Sequence, residues 1–317
     1  MYNENIKKRF LNTIENSKTR HFYRQVLEKA EITEEQREKD LYGFNSKEQI
    51  LDFLASLGAI TGKSIITMYT PVVKYTQWAI REGYAQPIQY GIVKSITKDE
   101  LLSLVNVVKF KRRFIESREE LHYLTEQFCT NAQDAVIFVL LFNGIDGIKH
   151  KEIINLKVED IDLDNNVIRI KNDGGSFRLV PIPTREMNVI KDAINPNAKY
   201  HMNNGMGSES KKPSEINVFE TEYVLRKAVR KDTTKVSAIT INTRVKKIME
   251  MYGKPFVNPK SVFQSGMICK CKEIEKEKGE LTPDDYRVIV ERLFNMNPNN
   301  WFNLKDLHEQ YKKIFAP

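Results

Sequence analysis

The residues of this chain best suited to chemistry are cations, and they come in clusters. Lys109-Phe110-Lys111-Arg112-Arg113, Arg226-Lys227-Ala228-Val229-Arg230-Lys231 and Arg244-Val245-Lys246-Lys247 each gather several positive charges into a few residues. Ammonium and guanidinium groups at this density bind polyanions, and nucleic-acid phosphate is the common one. The 317 residues hold 50 Lys and Arg against 42 Asp and Glu, a formal net charge of +8. Such a balance alone is also compatible with plain solubility, so the clustering carries the argument. His21, His122, His150, His201 and His308 show no metal-ligand spacing and read as structural or surface residues. Cys129, Cys269 and Cys271 fit neither a disulfide framework nor a zinc pattern and read as reduced thiols. No metal or other cofactor is expected.

The elements that must position these cations can be read from periodicity and caps. Residues 3–30 read as one helix, with Ile6, Phe10, Ile14, Phe22, Val26 and Leu27 on its apolar side. Ser46-Lys47-Glu48-Gln49 is a capping box that opens a helix closed by Gly58. Lys63 to Glu82 reads as a second amphipathic helix, kinked or broken at Pro71. Lys63, Thr67, Lys74 and Arg81 lie along it as candidate contacts to a polyanion. Gln86 to Val93, with Pro87 and Gly91, reads as a linker. Thr97-Lys98-Asp99-Glu100 opens a new capped helix, which puts a domain boundary near residue 95. Ser117-Arg118-Glu119-Glu120 caps another helix, and an apolar helix follows over 131–142.

The most distinctive block is Gly147-Ile148-Lys149-His150-Lys151-Glu152-Ile153-Ile154-Asn155-Leu156, followed by Lys157-Val158-Glu159-Asp160-Ile161-Asp162. It reads as a helix–turn–helix junction that runs into a β-hairpin. The hairpin strands are Val167-Ile168-Arg169-Ile170 and Phe177-Arg178-Leu179-Val180-Pro181, with a turn at Asp173-Gly174-Gly175. A helix runs from Thr184 to about Ile194. Pro, Asn, Gly, Ser and Lys dominate 195–215, which reads as a mobile loop. Helices are expected near 219–231, 239–251, 260–278, 283–295 and 303–315. The helix Thr240–Lys247 has a polar front and an apolar back through Ile241, Val245, Ile248 and Met249. No apolar run approaches the roughly 18 residues of a membrane span. Met1-Tyr2-Asn3-Glu4-Asn5 carries no secretory pattern, so a cytoplasmic protein without a membrane partner is expected.

The Gly147–Asp162 block resembles the first catalytic-arginine block of the tyrosine recombinases, roughly Gly-x-Arg-x-x-Glu-[Leu/Ile]-x-x-Leu and then x-x-x-Asp-Ile-Asp. The order of elements over 97–317 is similar to the catalytic domain of that family, and the N-terminal helices resemble its core-binding domain. This resemblance implies a mainly α fold with a small β-hairpin or three-stranded sheet. It implies a two-domain clamp around duplex DNA, with a helical, SAM-like core-binding domain over 1–95 and a catalytic-like domain over 96–317. It also implies a set of chemical roles. Two arginines bind the scissile phosphate, a hairpin lysine and histidines handle protons, and a late tyrosine attacks phosphorus.

At the matching positions the residue types have changed. Lys149 stands in the first arginine's place, keeping the charge but losing the planar fork that grips two phosphate oxygens. Lys171 matches the hairpin lysine. In Asn258-Pro259-Lys260-Ser261-Val262-Phe263-Gln264, Lys260 and Gln264 match the two histidines, and Phe263 matches the second arginine. No Gly-His pair occurs at Leu293-Phe294-Asn295. The nucleophile window 302–306 is Phe302-Asn303-Leu304-Lys305-Asp306, and Tyr311 lies out of register. A missing oxyanion donor costs about 10²–10³ in rate and a missing proton-transfer group about 10²–10⁴. Without the nucleophile the covalent route is closed.

The expectation is therefore a recombinase fold with no enzyme activity that still binds double-stranded DNA. Lys149, Lys171 and Lys260 are the expected phosphate contacts, with solvated surface lysines as the bland alternative, and Arg178 is a further candidate DNA contact. On Thr240–Lys247, Arg244 is expected to reach guanine O6 and N7, with Asn242, Thr243, Lys246 and Lys247 beside it. The resemblance extends to recombinase-like regulators of temperate phages. That implies a sequence-specific transcriptional repressor that maintains lysogeny at operator DNA, in the bacterial cytoplasm and nucleoid. It further implies a homo-oligomer on DNA, built by analogy through 195–215 or the C-terminal helix 303–315, and a phage-encoded or peptide antagonist. The rivals are a diverged recombinase using Tyr311 and an architectural accessory factor for phage excision.

Overall fold

The computed structural model describes residues 1–172, 175–206, 215–218, 220–227, 235–297 and 301–315, without the side chains of residues 107 and 301–303. The chain divides into two compact units, Met1–Phe110 and Lys111–Pro317.

The first unit is helical among its described residues. Its helices are α1 (Glu4–Asn12), α2 (Ser17–Lys29), α3 (Glu31–Arg37), α4 (Lys47–Ser56), α5 (Gly62–Arg81), α6 (Pro87–Lys94), α7 (Lys98–Ser103) and α8 (Val107–Lys111), the last ending at the junction. The single helix expected over 3–30 is two. α1 stops at Asn12, and Asn16 caps α2, its side chain accepting from the Thr19 amide at 3.0 Å. Helix α5 instead continues through Pro71 as one helix. The expected linker at 86–93 is helix α6, because Pro87 falls at the first helical position, where its missing N–H costs no hydrogen bond. Phe10, Leu27, Phe53, Leu54, Ile65, Val72, Tyr75 and Trp78 build the core, and Leu101 and Val105 join it. The compact unit thus runs past residue 95, since the capped helix α7 packs on this core rather than opening the next one.

One ionic cluster lies inside that core. Lys7 of α1 and Glu34 of α3 are fully buried and form an ion pair. Glu34 also accepts from the Leu41 amide at 2.8 Å. Tyr75 Oη donates to the neighbouring Asp40 carboxylate at 3.3 Å.

The second unit is organised around one helix. It contains α9 (Arg118–His122), which widens into a π-helical turn through Phe128, then α10 (Ala132–Phe142) and α11 (Lys151–Asn155). Every residue of α10 from Gln133 to Phe142 is buried. A helix apolar on all sides must be central, and α12 (Thr184–Ile194) and α14 (Pro259–Lys278) pack against it. Strands β1 (Ile161–Asp162), β2 (Val167–Lys171) and β3 (Phe177–Pro181) form an antiparallel sheet in that order. Ile168 pairs with Val180, and Lys171 with Phe177. Period-two alternation sends Ile168, Ile170 and Val180 into the core and leaves Arg169, Lys171 and Leu179 outside. The expected hairpin turn includes residues 173 and 174, which lie outside the described residues.

Two expectations downstream are corrected. The segment 195–215 is not loop throughout, because β4 (Lys199–His201) pairs with β5 (Glu215–Asn217); residues 207–214 lie outside the description. The helix expected near 219–231 is absent from its described part, 220–227. There the Val158 amide donates to Glu222 O at 2.8 Å, and the Val224 amide to Leu156 O at 3.0 Å. These bonds replace helical ones and bring Val224 and Leu225 into the core. Helices α13 (Ala238–Met251), α15 (Pro283–Val288) and α16 (Trp301–Phe315) complete the unit, and a π-helical turn carries α15 on to Leu293.

Candidate functional site

The Gly147 block is a backbone device before it is a chemical one. Gly147 has φ of +70°, and a Cβ there would come within 2.7 Å of Glu152 Cγ. Lys149 and His150 follow at φ 57° and 62°. Two consecutive non-glycine residues in the left-handed region cost roughly 1–2 kcal/mol each, so surrounding bonds must hold them. The Glu152 amide donates to Asp146 O at 3.1 Å. The Asp146 amide in turn donates to Glu152 Oε2 at 2.9 Å. His150 Nδ1 donates to Asp146 Oδ1 at 2.5 Å. Asn242 Nδ2 of α13 donates to His150 Nε2 at 3.1 Å. The turn projects Lys149 into solvent, where it makes no hydrogen bond or ion pair with the described residues.

Arg178 faces the other way. Its guanidinium bonds Glu152 Oε1 at 2.6 Å and Oε2 at 2.8 Å, Asn172 Oδ1 at 2.7 Å and Gly144 O at 3.0 Å. Both side chains of this pair are largely buried. The expected DNA contact of Arg178 is corrected: burial and four acceptors commit it to fastening β3 to the Gly147 block.

The same network reaches the rest of the site. Asn172, next to Lys171, also accepts from Asn295 Nδ2 at 3.2 Å. Phe294 meets Phe263 of α14 edge-on, with ring centroids 5.1 Å apart. Lys260 lies one turn before Phe263, in the first turn of a helix capped by Asn258. Lys149, Lys171 and Lys260 are each exposed. Phe263 makes an apolar ring contact with Phe294 and offers no hydrogen-bond donor from its side chain.

Helix α13 splits as its period demands. Asn242, Thr243, Lys246 and Lys247 are exposed, whereas Ile241, Arg244, Val245 and Ile248 are buried. Arg244 is only 9% exposed. Its Nη1 donates to Gln133 O at 3.2 Å and its Nη2 to Arg226 O at 3.0 Å, and its Nε lies 3.5 Å from the Asp134 carboxylate. Burial raises the Asp134 carboxyl above its ordinary range, and the Arg244 charge opposes that rise. The expected guanine contact of Arg244 is thus corrected. Position 244 falls three residues after Ile241 and four before Ile248, on the apolar face, and that spacing was the available signal. Lys247 Nζ donates to Asn203 Oδ1 at 2.6 Å, and Lys246 lies 3.7 Å from Glu250.

On α5, Lys63, Thr67, Lys74 and Arg81 are all exposed. Thr67, Lys74 and Arg81 recur every seven residues with Lys63 one turn before, so they form one stripe of that helix.

The candidate nucleophile is shut away. Tyr311 is buried and donates to Glu275, and burial raises its hydroxyl above the ordinary phenol range. It belongs to the apolar side of α16, with Leu307 and Ile314, packed on α14 and α15 of the same unit. The side chains of Phe302 and Asn303 lie outside the description. Cys269 and Cys271 are buried, and desolvation pushes both thiols up to about 12, far from reactive thiolates. No helix among the described residues is long and apolar enough to cross a membrane. Sequence reasoning missed the Glu152–Arg178 pair and the clamp on His150. Only the pairing of Glu152 with a cation was within its reach.

Residues 115–315 match the family model described as "MrpR, C-terminal catalytic domain", and residues 1–82 match "MrpR, N-terminal core-binding domain". The chain is 26% identical to an SPbeta prophage-derived uncharacterized protein, YopR, of Bacillus subtilis (strain 168), over 98% of this chain and 97% of that one. It is 27% identical over 161 residues to a tyrosine recombinase of Agathobacter rectalis, covering 45% of this chain and 50% of that one. Among solved structures it is similar to the XerA recombinase, at 13% identity and a TM-score of 0.41 over 99% of both chains. It is likewise similar to the Tn1549 transposon integrase in complex with transposon right end DNA, at 11% identity and a TM-score of 0.44 over 98% of both.

Proposed function

Because the chain belongs to the MrpR family, with a recombinase-type pairing of core-binding and catalytic domains, we propose that it is a sequence-specific double-stranded-DNA-binding repressor without strand-exchange activity. One observation carries this. Cations stay exposed around the site, while the groups that would cut are replaced or buried. Lys149, Lys171 and Lys260 offer point charges to backbone phosphates, which give affinity and register without cleavage. Phe263 donates nothing, and Tyr311 is buried against Glu275. The exposed face of α13, through Thr243, Lys246 and Lys247, supplies the base and flanking contacts. The stripe Lys63, Thr67, Lys74 and Arg81 on α5 supplies further backbone contacts.

The prophage origin of the Bacillus subtilis relative supports a temperate phage as the setting, with lysogeny as the state maintained. The operator, self-association on it and an antagonist that lifts repression belong to the same proposal, as does a cytoplasmic, nucleoid-bound location. A suicide duplex with a nick close to an intact scissile phosphate tests the chemistry. No covalent protein–DNA adduct is expected, and a Tyr311-dependent adduct would establish a diverged recombinase instead. Genomic footprinting followed by a promoter reporter tests the regulation. Bound sites with unchanged transcription would point to an architectural accessory factor.

A further inference from the structure

His150 is an exposed-block residue whose ring has no free nitrogen. The Asp146 carboxylate can only accept, so the 2.5 Å contact fixes the proton on Nδ1. Nε2 is then an acceptor, and Asn242 Nδ2 fills it at 3.1 Å. The second Nδ2 hydrogen of Asn242 is also committed, to Ala238 O at 2.8 Å. The side chain of His150 is only 13% exposed. Its backbone and that of Lys149 sit in the left-handed region at φ 62° and 57°.

We propose that His150 is a positioning residue: its doubly clamped ring holds the left-handed turn that projects Lys149 and locks that turn to the first turns of α13. The inference rests on the DNA-binding reading above. A strained turn with an exposed lysine would relax if nothing held it, and the ring supplies the two bonds that tie it down on opposite sides. The same clamp decides which α13 residues can read bases. Adenine recognition by asparagine needs one amide donor and one acceptor. Both amide hydrogens of Asn242 are spent, so Asn242 works as a strut and base contacts fall to Thr243, Lys246 and Lys247. The phosphate contact of Lys149 and the base contacts of α13 are thereby made by one rigid piece.

The test is the salt dependence of binding to a mixed-sequence DNA duplex, measured on the full chain by fluorescence anisotropy. Lys149→Ala should lower the slope of log affinity against log salt by about 0.9, one phosphate contact. His150→Ala should lower it by the same amount, and the double variant no further. His150→Gly relieves the backbone strain but removes the ring, and it should show the same loss. A full slope for His150→Gly would reduce the residue to a backbone role and overturn the proposal. Asn242→Ala lies at an exposed position and carries the test if His150→Ala fails to fold; a full slope there also overturns it. Failure of the wild-type chain to bind any duplex at low salt would instead remove the DNA-binding reading, and the inference with it.

Discussion

Glu152 and Asp134 each sit beside an arginine with little water to share. Glu152 is bound in bidentate fashion by Arg178, and Asp134 faces Arg244. Breaking a buried pair by removing one partner typically costs about 3–5 kcal/mol, because the remaining charge stays desolvated. Arg178→Ala and Arg244→Ala are therefore expected to lower the unfolding free energy by that order, measured by urea unfolding. If Arg244→Ala kept full stability and lost only base preference, the inward placement would be wrong. Lys260→Ala should do the opposite. It should leave stability within about 0.5 kcal/mol of wild type and lower the salt slope of duplex binding by about one. Residue types in the sequence pointed to the cations, but not to which of them face water. Lys149, Lys171 and Lys260 are exposed, as their proposed role as phosphate contacts requires. Arg178 and Arg244 were misassigned because charge was weighed above helix and strand phase.

At the scale of elements, two close approaches set the packing. Helices α10 and α14 meet at Gly266, where a Cβ would lie 1.8 Å from Phe142 O. Backbone cannot give way as a side-chain end can. Gly266→Ala should thus cost more than an ordinary overpacking of about 1–3 kcal/mol, seen as loss of soluble folded protein or a sharply lowered melting temperature. Within the first unit, α1 is pinned by Lys7 to Glu34. Burial pushes the Glu34 carboxyl up to about 7, with Lys7 opposing and Asp40 adding to the shift. A carboxylate whose folded value is raised holds its proton longer in the folded state. Its contribution is full below the unfolded value of about 4.3 and is lost as pH rises through about 7. Glu34→Gln keeps the acceptor for Leu41 and removes the titration. The fall in melting temperature between about pH 5 and about pH 8 should be shallower than in the wild type. An equal fall in both proteins would exclude Glu34 as its source. Most helices were legible from caps and period. The break between α1 and α2, helix α6 and the β4–β5 pair were not, because single polar or proline residues carry either meaning until their neighbours are known.

For the whole molecule, the first-unit core absorbs α7, so this compact unit extends to Phe110, past the boundary near residue 95 expected from the 86–93 linker and the Thr97 capping box. The capping box at Thr97 marks a helix start whatever lies on either side of it, and a cap carries no information about which core the helix joins. The sequence by itself determined the helical class, the small sheet and the recombinase-like order of elements. These follow from residue type, period and spacing, which are local or countable. Only the tertiary structure decided that Arg178 and Arg244 are internal struts, that His150 is held on both nitrogens, and that Tyr311 is buried against Glu275. Each of these depends on a partner distant in the chain, and no local pattern records which distant group will meet a given side chain when the core closes.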